Sequence, residues 1–369
     1  MSKQVLNFAA GPAALPREVL AKAQSELLDY AGSGISVMEL SHRSKEFEGL
    51  LNRAIADVKT LLNVPDNYKI LFLQGGGSTQ FAQVALNLLG AKEGNSADYL
   101  VTGTWSLKAY EEAKRYGTIN LAFPLPANKK YVTVPPQSEW KLNPAASYVY
   151  YCANETVDGV EFDFVPETNG VPLVCDMSSN ILSRPVDVAK YGLIFAGAQK
   201  NVGPSGVTLV IIRSDLLDVK QHPATPIMLG YKLMAENNSL YNTPPTFAIY
   251  ICGLVFEHLK ALGGIAEMNA RNDRKSQALY AAIDNSNGFF TSPVVPAYRS
   301  RMNVPFRIRG GDDALENKFL KEAEAQNMIQ LKGHRSVGGI RASIYNAISE
   351  DNVTQLVAFM NKFLAANNA

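Results

Sequence analysis

The chain has 369 residues, with Lys+Arg 35 against Asp+Glu 34 and a formal net charge of +1. That balance excludes nucleic-acid or membrane-surface binding through overall charge, and 47% hydrophobic with 19% charged residues excludes a disordered chain. At about 150 residues per domain the length predicts two or three domains.

In chain order, Pro16 to Ala31 reads as a helix with proline at its first position. Ser44 caps a second helix. Its apolar residues Phe47, Leu50, Leu51, Ala54, Ile55, Val58, Leu61 and Leu62 recur at helical spacing. A short apolar run, 70–73, then leads through Gly75-Gly76-Gly77-Ser78-Thr79 into a helix over 81–89. Six further short runs follow, at 99–101, 119–123, 148–152, 171–175, 193–196 and 207–212. Several are apolar at every position, as strands of a helix-covered parallel or mixed sheet are. Beyond about residue 265 the pattern changes. Helices at 248–262 and 265–285 lead to an alternating segment at 303–309 and helices near 314–326 and 352–364, which predicts a smaller α+β unit.

Cys152, Cys175 and Cys252 lie far apart in apolar surroundings and read as buried small hydrophobes in a reducing compartment. No signal-peptide stretch stands at the N-terminus, and no apolar run approaches the ~18 residues that span a bilayer. The expectation is therefore a cytoplasmic protein. The four histidines (His42, His222, His258, His334) lack metal-ligand spacing.

Four features carry candidate chemistry. The glycine loop joins a strand to a helix, where free backbone N–H groups attract phosphate. It matches neither the P-loop nor the dinucleotide fingerprint, and a plain tight turn is the alternative. Asp176 ends a buried run, where ligands of open α/β sheets bind; with Ser178 and Ser179 following, a helix-capping or surface acid is the alternative. Lys200 follows a strongly apolar strand and small residues. Partial burial lowers a lysine pKa and makes a nucleophilic amine suited to Schiff-base chemistry, although a lysine at a strand end more commonly snorkels to solvent. Last, the dipeptides His42-Arg43 and His334-Arg335 could each bind carboxylate or phosphate, or simply face solvent. A phosphate loop, a buried acid and a nucleophilic lysine together are what pyridoxal phosphate requires: an amine for the imine, an acid for the pyridine nitrogen and an anchor for the phosphate.

At this point the sequence resembles the phosphoserine aminotransferases, class V members of the fold-type I pyridoxal phosphate enzymes. The resemblance runs nearly end to end: Asn7-Phe8-Ala9-Ala10-Gly11-Pro12, Ser41-His42-Arg43-Ser44, Asn154-Glu155-Thr156 with Asp158-Gly159-Val160, Asp176-Met177-Ser178-Ser179, Ala196 to Pro204, Asn242-Thr243-Pro244-Pro245 and Lys332 to Gly339. It implies an α/β fold. A large domain over 16–264, with a mostly parallel seven-stranded sheet between helices, would be joined to a smaller α+β domain over 265–369, with segment 1–15 near the active site. It implies that Lys200 holds the cofactor and carries the proton, that Asp176 pairs with the pyridine nitrogen, that Trp105 stacks on the ring and that Thr156 meets the ring hydroxyl. Gly77, Ser78 and Gln199 would hold the phosphate. Asn242 and Thr243 would reach it from the other subunit of a homodimer. His42, Arg43, His334 and Arg335 would bind the acidic ends of the substrates.

The implied reaction is ping-pong, from glutamate to 3-phosphohydroxypyruvate, with a second activity on the phosphorylated hydroxythreonine precursor of vitamin B6. One departure stands out: many members carry arginine where this chain has Ser78. The backbone role survives that change, and a side-chain contact from there to the substrate phosphate would have to come from another arginine or lysine. The rival readings are another class V aminotransferase, a cysteine desulfurase, which needs an exposed mobile cysteine, and a non-catalytic nucleotide-binding module built on the glycine loop.

Overall fold

The structure, a computed structural model, describes residues 5–368; residues 1–4 of the expected N-terminal segment and residue 369 lie outside them. The chain opens with β1 (Leu6–Asn7), α1 (Arg17–Ser25) and α2 (Lys45–Leu61). The helix expected over 16–31 stops at Ser25. Beyond it Asp29 Oδ1 accepts from the Gly34 N–H at 2.7 Å, and Ala31 sits at φ 51, so local turn bonds replace the helical ladder. α2 begins as expected, with Ser44 Oγ accepting from the Phe47 N–H at 3.2 Å.

Next come β2 (Tyr68–Leu73), α3 (Gly76–Leu88), β3 (Ser96–Leu100), α4 (Thr104–Ala113), β4 (Thr118–Leu121), β5 (Val149–Cys152), β6 (Leu173–Asp176), β7 (Leu193–Gly197) and β8 (Thr208–Arg213). The seven strands form one sheet in the order β2-β8-β7-β6-β5-β3-β4, with β8 antiparallel to both neighbours and the other pairings parallel. The uninterrupted apolar runs have a simple cause. Ile70 and Phe72, like Leu209 and Ile211, face one core with α1, α2 and α6 (Thr246–Ala261). Leu71, Leu73, Val210 and Ile212 face the other, with α3, α4 and α5 (Tyr231–Glu236). Both faces are dry, so alternation of polar and apolar residues has nothing to mark.

α7 (Gly264–Asp284) follows α6 after a bend of 83°. Ile265 and Met268 at its start belong to the large core, whereas Leu279, Tyr280 and Ile283 at its end belong to another. That second core packs β9 (Phe290–Thr291), β10 (Asn303–Ile308), α8 (Asp313–Ala325), β11 (Met328–Ile329), β12 (Ile340–Ser343) and α9 (Glu350–Asn367). β9, β10 and β12 make a small antiparallel sheet, and β1 pairs with β11. Leu6 and Phe8 thereby join the second core, and the segment after them is drawn across the end of the large sheet. No single helix among the described residues is long and apolar enough to cross a membrane.

Candidate active site

The C-terminal ends of β2, β3, β5, β6 and β7 point to one side of the sheet and surround a cavity of about 220 Å³. Of the residues singled out in the sequence, Gly77, Ser78, Trp105, Thr156, Asp176, Gln199, Lys200 and His334 line it. Ala10 and Gly11 close it from the N-terminal side, held there by the Ala13 N–H donating to the Gln199 carbonyl at 2.8 Å.

Lys200 stands in the turn after β7, where its own N–H and that of Gly203 both donate to the Ala198 carbonyl at 2.7 Å. Its Nζ donates to Thr156 Oγ1 at 2.6 Å. The side chain is buried, and that desolvation pulls the amine below its ordinary value, partly opposed by the Asp176 and Glu155 carboxylates. It does not snorkel.

Asp176 is the last residue of β6, opposite Cys152 on β5 and Phe195 on β7. Burial drives its carboxyl up, and hydrogen bonding to Ser178, together with the Lys200 ammonium, pulls it back. Its Oδ1 accepts from the Ser178 N–H at 2.8 Å, and Ser178 Oγ accepts from the Gly197 N–H at 3.0 Å. The acid is therefore not a surface group: it is buried, and it closes the turn after β6 through the Ser178 N–H, with no helix directly following.

The glycine run differs from the expected loop. Gly75, at φ 95, stands immediately before α3, which starts at Gly76, so Gly77 and Ser78 are in its first turn. Glycine's low helix propensity argues for a later start. Tertiary packing overrides it, and the first-turn N–H groups, which have no intrahelical partner, are at the cavity.

Thr156 belongs to Asn154-Glu155-Thr156, which follows β5. Asn154 Nδ2 donates to Ser179 Oγ at 2.8 Å and Asn303 Oδ1 at 2.9 Å, whereas its Oδ1, buried in the cavity wall, has no partner. Trp105, on α4, has a buried Nε1 that also lacks a partner. Lys200 Nζ lies 5.9 Å from the Trp105 ring centroid and Lys108 Nζ lies 4.5 Å from it.

The sequence reading missed Arg341. It sits on β12, in an otherwise apolar stretch, and lines the cavity, with Nη1 donating to the Thr156 carbonyl at 3.2 Å. His334 joins it, with Nδ1 2.7 Å from Ser336 Oγ. Partial burial and then the cations Arg341, Lys108 and Arg335 lower its pKa. Cys152, read as plain core, also reaches the cavity wall; Sγ donates to the Asn154 carbonyl at 3.4 Å, and burial drives the thiol up.

Five expected residues are not brought to the cavity of this single chain. Arg43 and Arg335 are exposed and His42 is half-buried on the segment before α2. Thr243 is exposed at the end of β2, its carbonyl accepting from Gln74 Nε2 at 3.3 Å, and the neighbouring Asn242 Oδ1 is buried without a partner.

The arrangement brings a buried amine, a buried acid, first-turn N–H groups suited to an anion, the Arg341 guanidinium and the His334 imidazole around one cavity. The aminotransferase class-V family pattern matches residues 5–356. A phosphoserine aminotransferase of Drosophila melanogaster is 59% identical over 366 residues, covering 98% of this chain and 99% of that protein. One of Pseudomonas syringae pv. tomato is 56% identical over 363 residues, covering 98% and 99%. Among solved structures, a phosphoserine aminotransferase from Bacillus circulans subsp. alkalophilus superposes with a TM-score of 0.94 at 46% identity over 99% of each chain. The PLP-bound phosphoserine aminotransferase of Trichomonas vaginalis superposes with a TM-score of 0.93 at 44% identity, covering 97% of this chain and 100% of that one. The chain belongs to the class-V aminotransferases, alongside the phosphoserine aminotransferases.

Proposed function

We propose that this protein is a pyridoxal phosphate-dependent transaminase that moves the amino group of glutamate to 3-phosphohydroxypyruvate, giving phosphoserine and 2-oxoglutarate. The observation that carries this reading is the convergence of Lys200, Asp176 and the first turn of α3 on one cavity. The donor set fits the cofactor: a buried amine, a buried acid, an anion cradle, and two orphaned polar atoms, Trp105 Nε1 and Asn154 Oδ1, in need of a ligand. Full-length relatives named phosphoserine aminotransferase support phosphoserine as the aminated product.

When bound, pyridoxal phosphate supplies an aldehyde that takes up the amine and a ring that draws off the electron pair left at the substrate Cα. The protein's residues do the rest. The first-turn N–H groups of α3 at Gly77 and Ser78, with Gln199, hold the phosphate. Asp176 accepts from the protonated ring nitrogen and keeps the proton there. Thr156 meets the ring hydroxyl. Lys200 Nζ would take the proton from the substrate Cα and hold it for return. Arg341 and His334 draw the substrate's carboxylate or distal anion into the cavity. Ala10 and Gly11 keep water from the amine.

His42, Arg43 and Arg335 serve the substrate anions, and Asn242 and Thr243 reach the phosphate, in a homodimer whose sites are shared. This reading is supported by large apolar side chains on the segment leading to His42: Leu28 is 85% exposed, Met38 54% and Ile35 41%. Sedimentation velocity measures it; a monomer at working concentration would remove these five residues from the site. The pocket also suits 3-hydroxy-2-oxo-4-phosphooxybutanoate, a 2-oxo acid with a distal phosphate, and the working compartment is the cytoplasm.

Two of the rival readings lose ground on one observation each. A desulfurase requires an accessible thiolate, yet Cys152, Cys175 and Cys252 are all buried with thiols driven up. A nucleotide-binding module has no use for a desolvated lysine opposite a buried acid. The test is the absorbance spectrum of the purified protein. A yellow band that fades with glutamate and returns with 3-phosphohydroxypyruvate carries both half-reactions. A yellow protein that ignores glutamate removes the donor assignment, and a colourless protein that takes up no pyridoxal phosphate removes the enzyme.

A further inference from the structure

We propose that Glu155 is a positioning residue that sets the Trp105 indole against the cavity. α4 begins after Gly103, which has no side chain with which to cap it. Its first-turn N–H groups are taken by carboxylates from a distant loop. Asp158 Oδ2 accepts from the Thr104 N–H at 2.7 Å, Glu155 Oε2 from the Trp105 N–H at 2.9 Å, and Glu155 Oε1 from the Ser106 N–H at 2.9 Å. Ser106 Oγ donates to the same Oε1 at 2.6 Å. Glu155 is 0% exposed. A Cβ at Gly103 would stand 2.3 Å from the Glu155 Cγ and Cδ atoms, so glycine there is what admits the carboxylate to the helix end.

The arrangement exceeds what a cap requires. An exposed serine or aspartate before Thr104 would satisfy the helix at no cost in desolvation. Here a fully buried carboxylate is used, and it stands between Asn154, whose Oδ1 is an orphan of the cavity wall, and Thr156, which holds Lys200. The Trp105 main chain is thus tied directly to the tripeptide that carries the amine's partner. Rotation of the first turn of α4 would carry the indole away from the cavity, and the Glu155 carboxylate resists that rotation through two adjacent N–H groups. Why indole placement matters rests on the pyridoxal phosphate reading, in which this ring faces the cofactor.

Glu155→Gln separates positioning from capping. Its single oxygen stays with the two Ser106 donors, and its NH₂ then opposes the Trp105 N–H, donor against donor. Two measurements read the result. In a Trp140→Phe background, Trp105 is the sole tryptophan, since the chain has two. Its emission in the cofactor-free protein shifts with Glu155→Gln and stays put with Asp158→Ala, which removes the cap bond to the Thr104 N–H and leaves both Glu155 oxygens on the Trp105 and Ser106 N–H groups. Second, Glu155→Gln weakens pyridoxal phosphate binding by roughly tenfold, and this loss disappears when Trp105 is already phenylalanine.

Unchanged emission, an equal emission shift from Asp158→Ala, or the same loss of affinity in both backgrounds overturns the proposal and leaves Glu155 a structural cap. Where Glu155→Gln fails to fold, Glu155→Asp, which keeps the charge and shortens the reach, takes its place in both arms with the same outcomes. If the native protein takes up no pyridoxal phosphate, the cofactor reading fails, and the emission arm still decides the role of Glu155.

Discussion

Lys200 Nζ donates to Thr156 Oγ1 at 2.6 Å, across 44 positions of sequence. The amine is therefore held at one point of the cavity before any ligand arrives. Its hydroxyl partner sits beside the Thr156 carbonyl, which accepts from Arg341 at 3.2 Å. One residue thus connects the buried amine to a cation of the cavity wall.

In the proposed mechanism Lys200→Ala removes both the amine that captures the cofactor and the proton carrier. Loss of general acid–base catalysis alone lowers kcat by about 10²–10⁴-fold. Stopped-flow absorbance during the glutamate half-reaction measures it. A variant with wild-type turnover would exclude Lys200 from the chemistry.

Desolvation holds the Lys200 amine below the ordinary lysine value of 10.5. Capture of pyridoxal phosphate by the cofactor-free protein therefore speeds up as pH rises and levels off below 10.5. The same shift fixes the sign of its stability term. Between the lowered value and 10.5 the unfolded chain binds a proton that the folded chain has released, so this group makes stability increase with pH across that window. Capture rates and urea midpoints over a pH series, compared with Lys200→Met, isolate both effects. A rate that keeps climbing beyond pH 10.5 would contradict the burial argument.

Asp176→Asn removes the charge that the proposed mechanism sets against the ring nitrogen and leaves the Ser178 N–H an acceptor. A charge-assisted hydrogen bond is worth about 1.5–3 kcal/mol, so cofactor affinity falls by roughly 10–100-fold while the fold holds. Equilibrium titration with pyridoxal phosphate reads the loss, and circular dichroism checks the fold.

Arg341→Lys keeps the charge and discards the planar fork. The expected result is a rise in KM of about tenfold for a substrate acid, with cofactor binding unchanged. Steady-state kinetics on glutamate and on 3-phosphohydroxypyruvate show which anion it holds. If neither KM moves, Arg341 does not bind substrate.

Lys275 is buried on α7, with Nζ donating to the carbonyls of Ile344 and Tyr345 at 2.9 Å and of Ile348 at 2.8 Å. Lys275→Met strands three buried acceptors, each worth about 1–3 kcal/mol, so unfolding free energy falls by at least about 3 kcal/mol. Urea denaturation measures it; a loss below about 1 kcal/mol would mean that water replaces the ammonium.

Much of the fold is legible in local patterns of the chain. Each of the seven apolar runs overlaps one strand of the main sheet, and β7 is apolar throughout because it is buried on both faces. Ser44 ahead of the Phe47–Leu62 pattern announces α2, because capping and helical spacing are local effects. Asp176 and Lys200 betray themselves as polar residues at the ends of such runs, where burial leaves them either functional or paired. Other features are decided in three dimensions. The start of α3 at Gly76 and the stop of α1 at Ser25 follow from packing and turn bonds that overrule propensity. Arg341 reaches the cavity because β12 pairs with β10, and α7 is shared by two cores because it bends away from α6 by 83°. The Trp105 N–H meets Glu155 across 50 positions, a contact no local pattern encodes. Residue order and type alone settle which segments are buried and which side chains are chemically costly there. Which of those side chains meet is settled by the fold, because long-range pairing depends on the path of the chain between them.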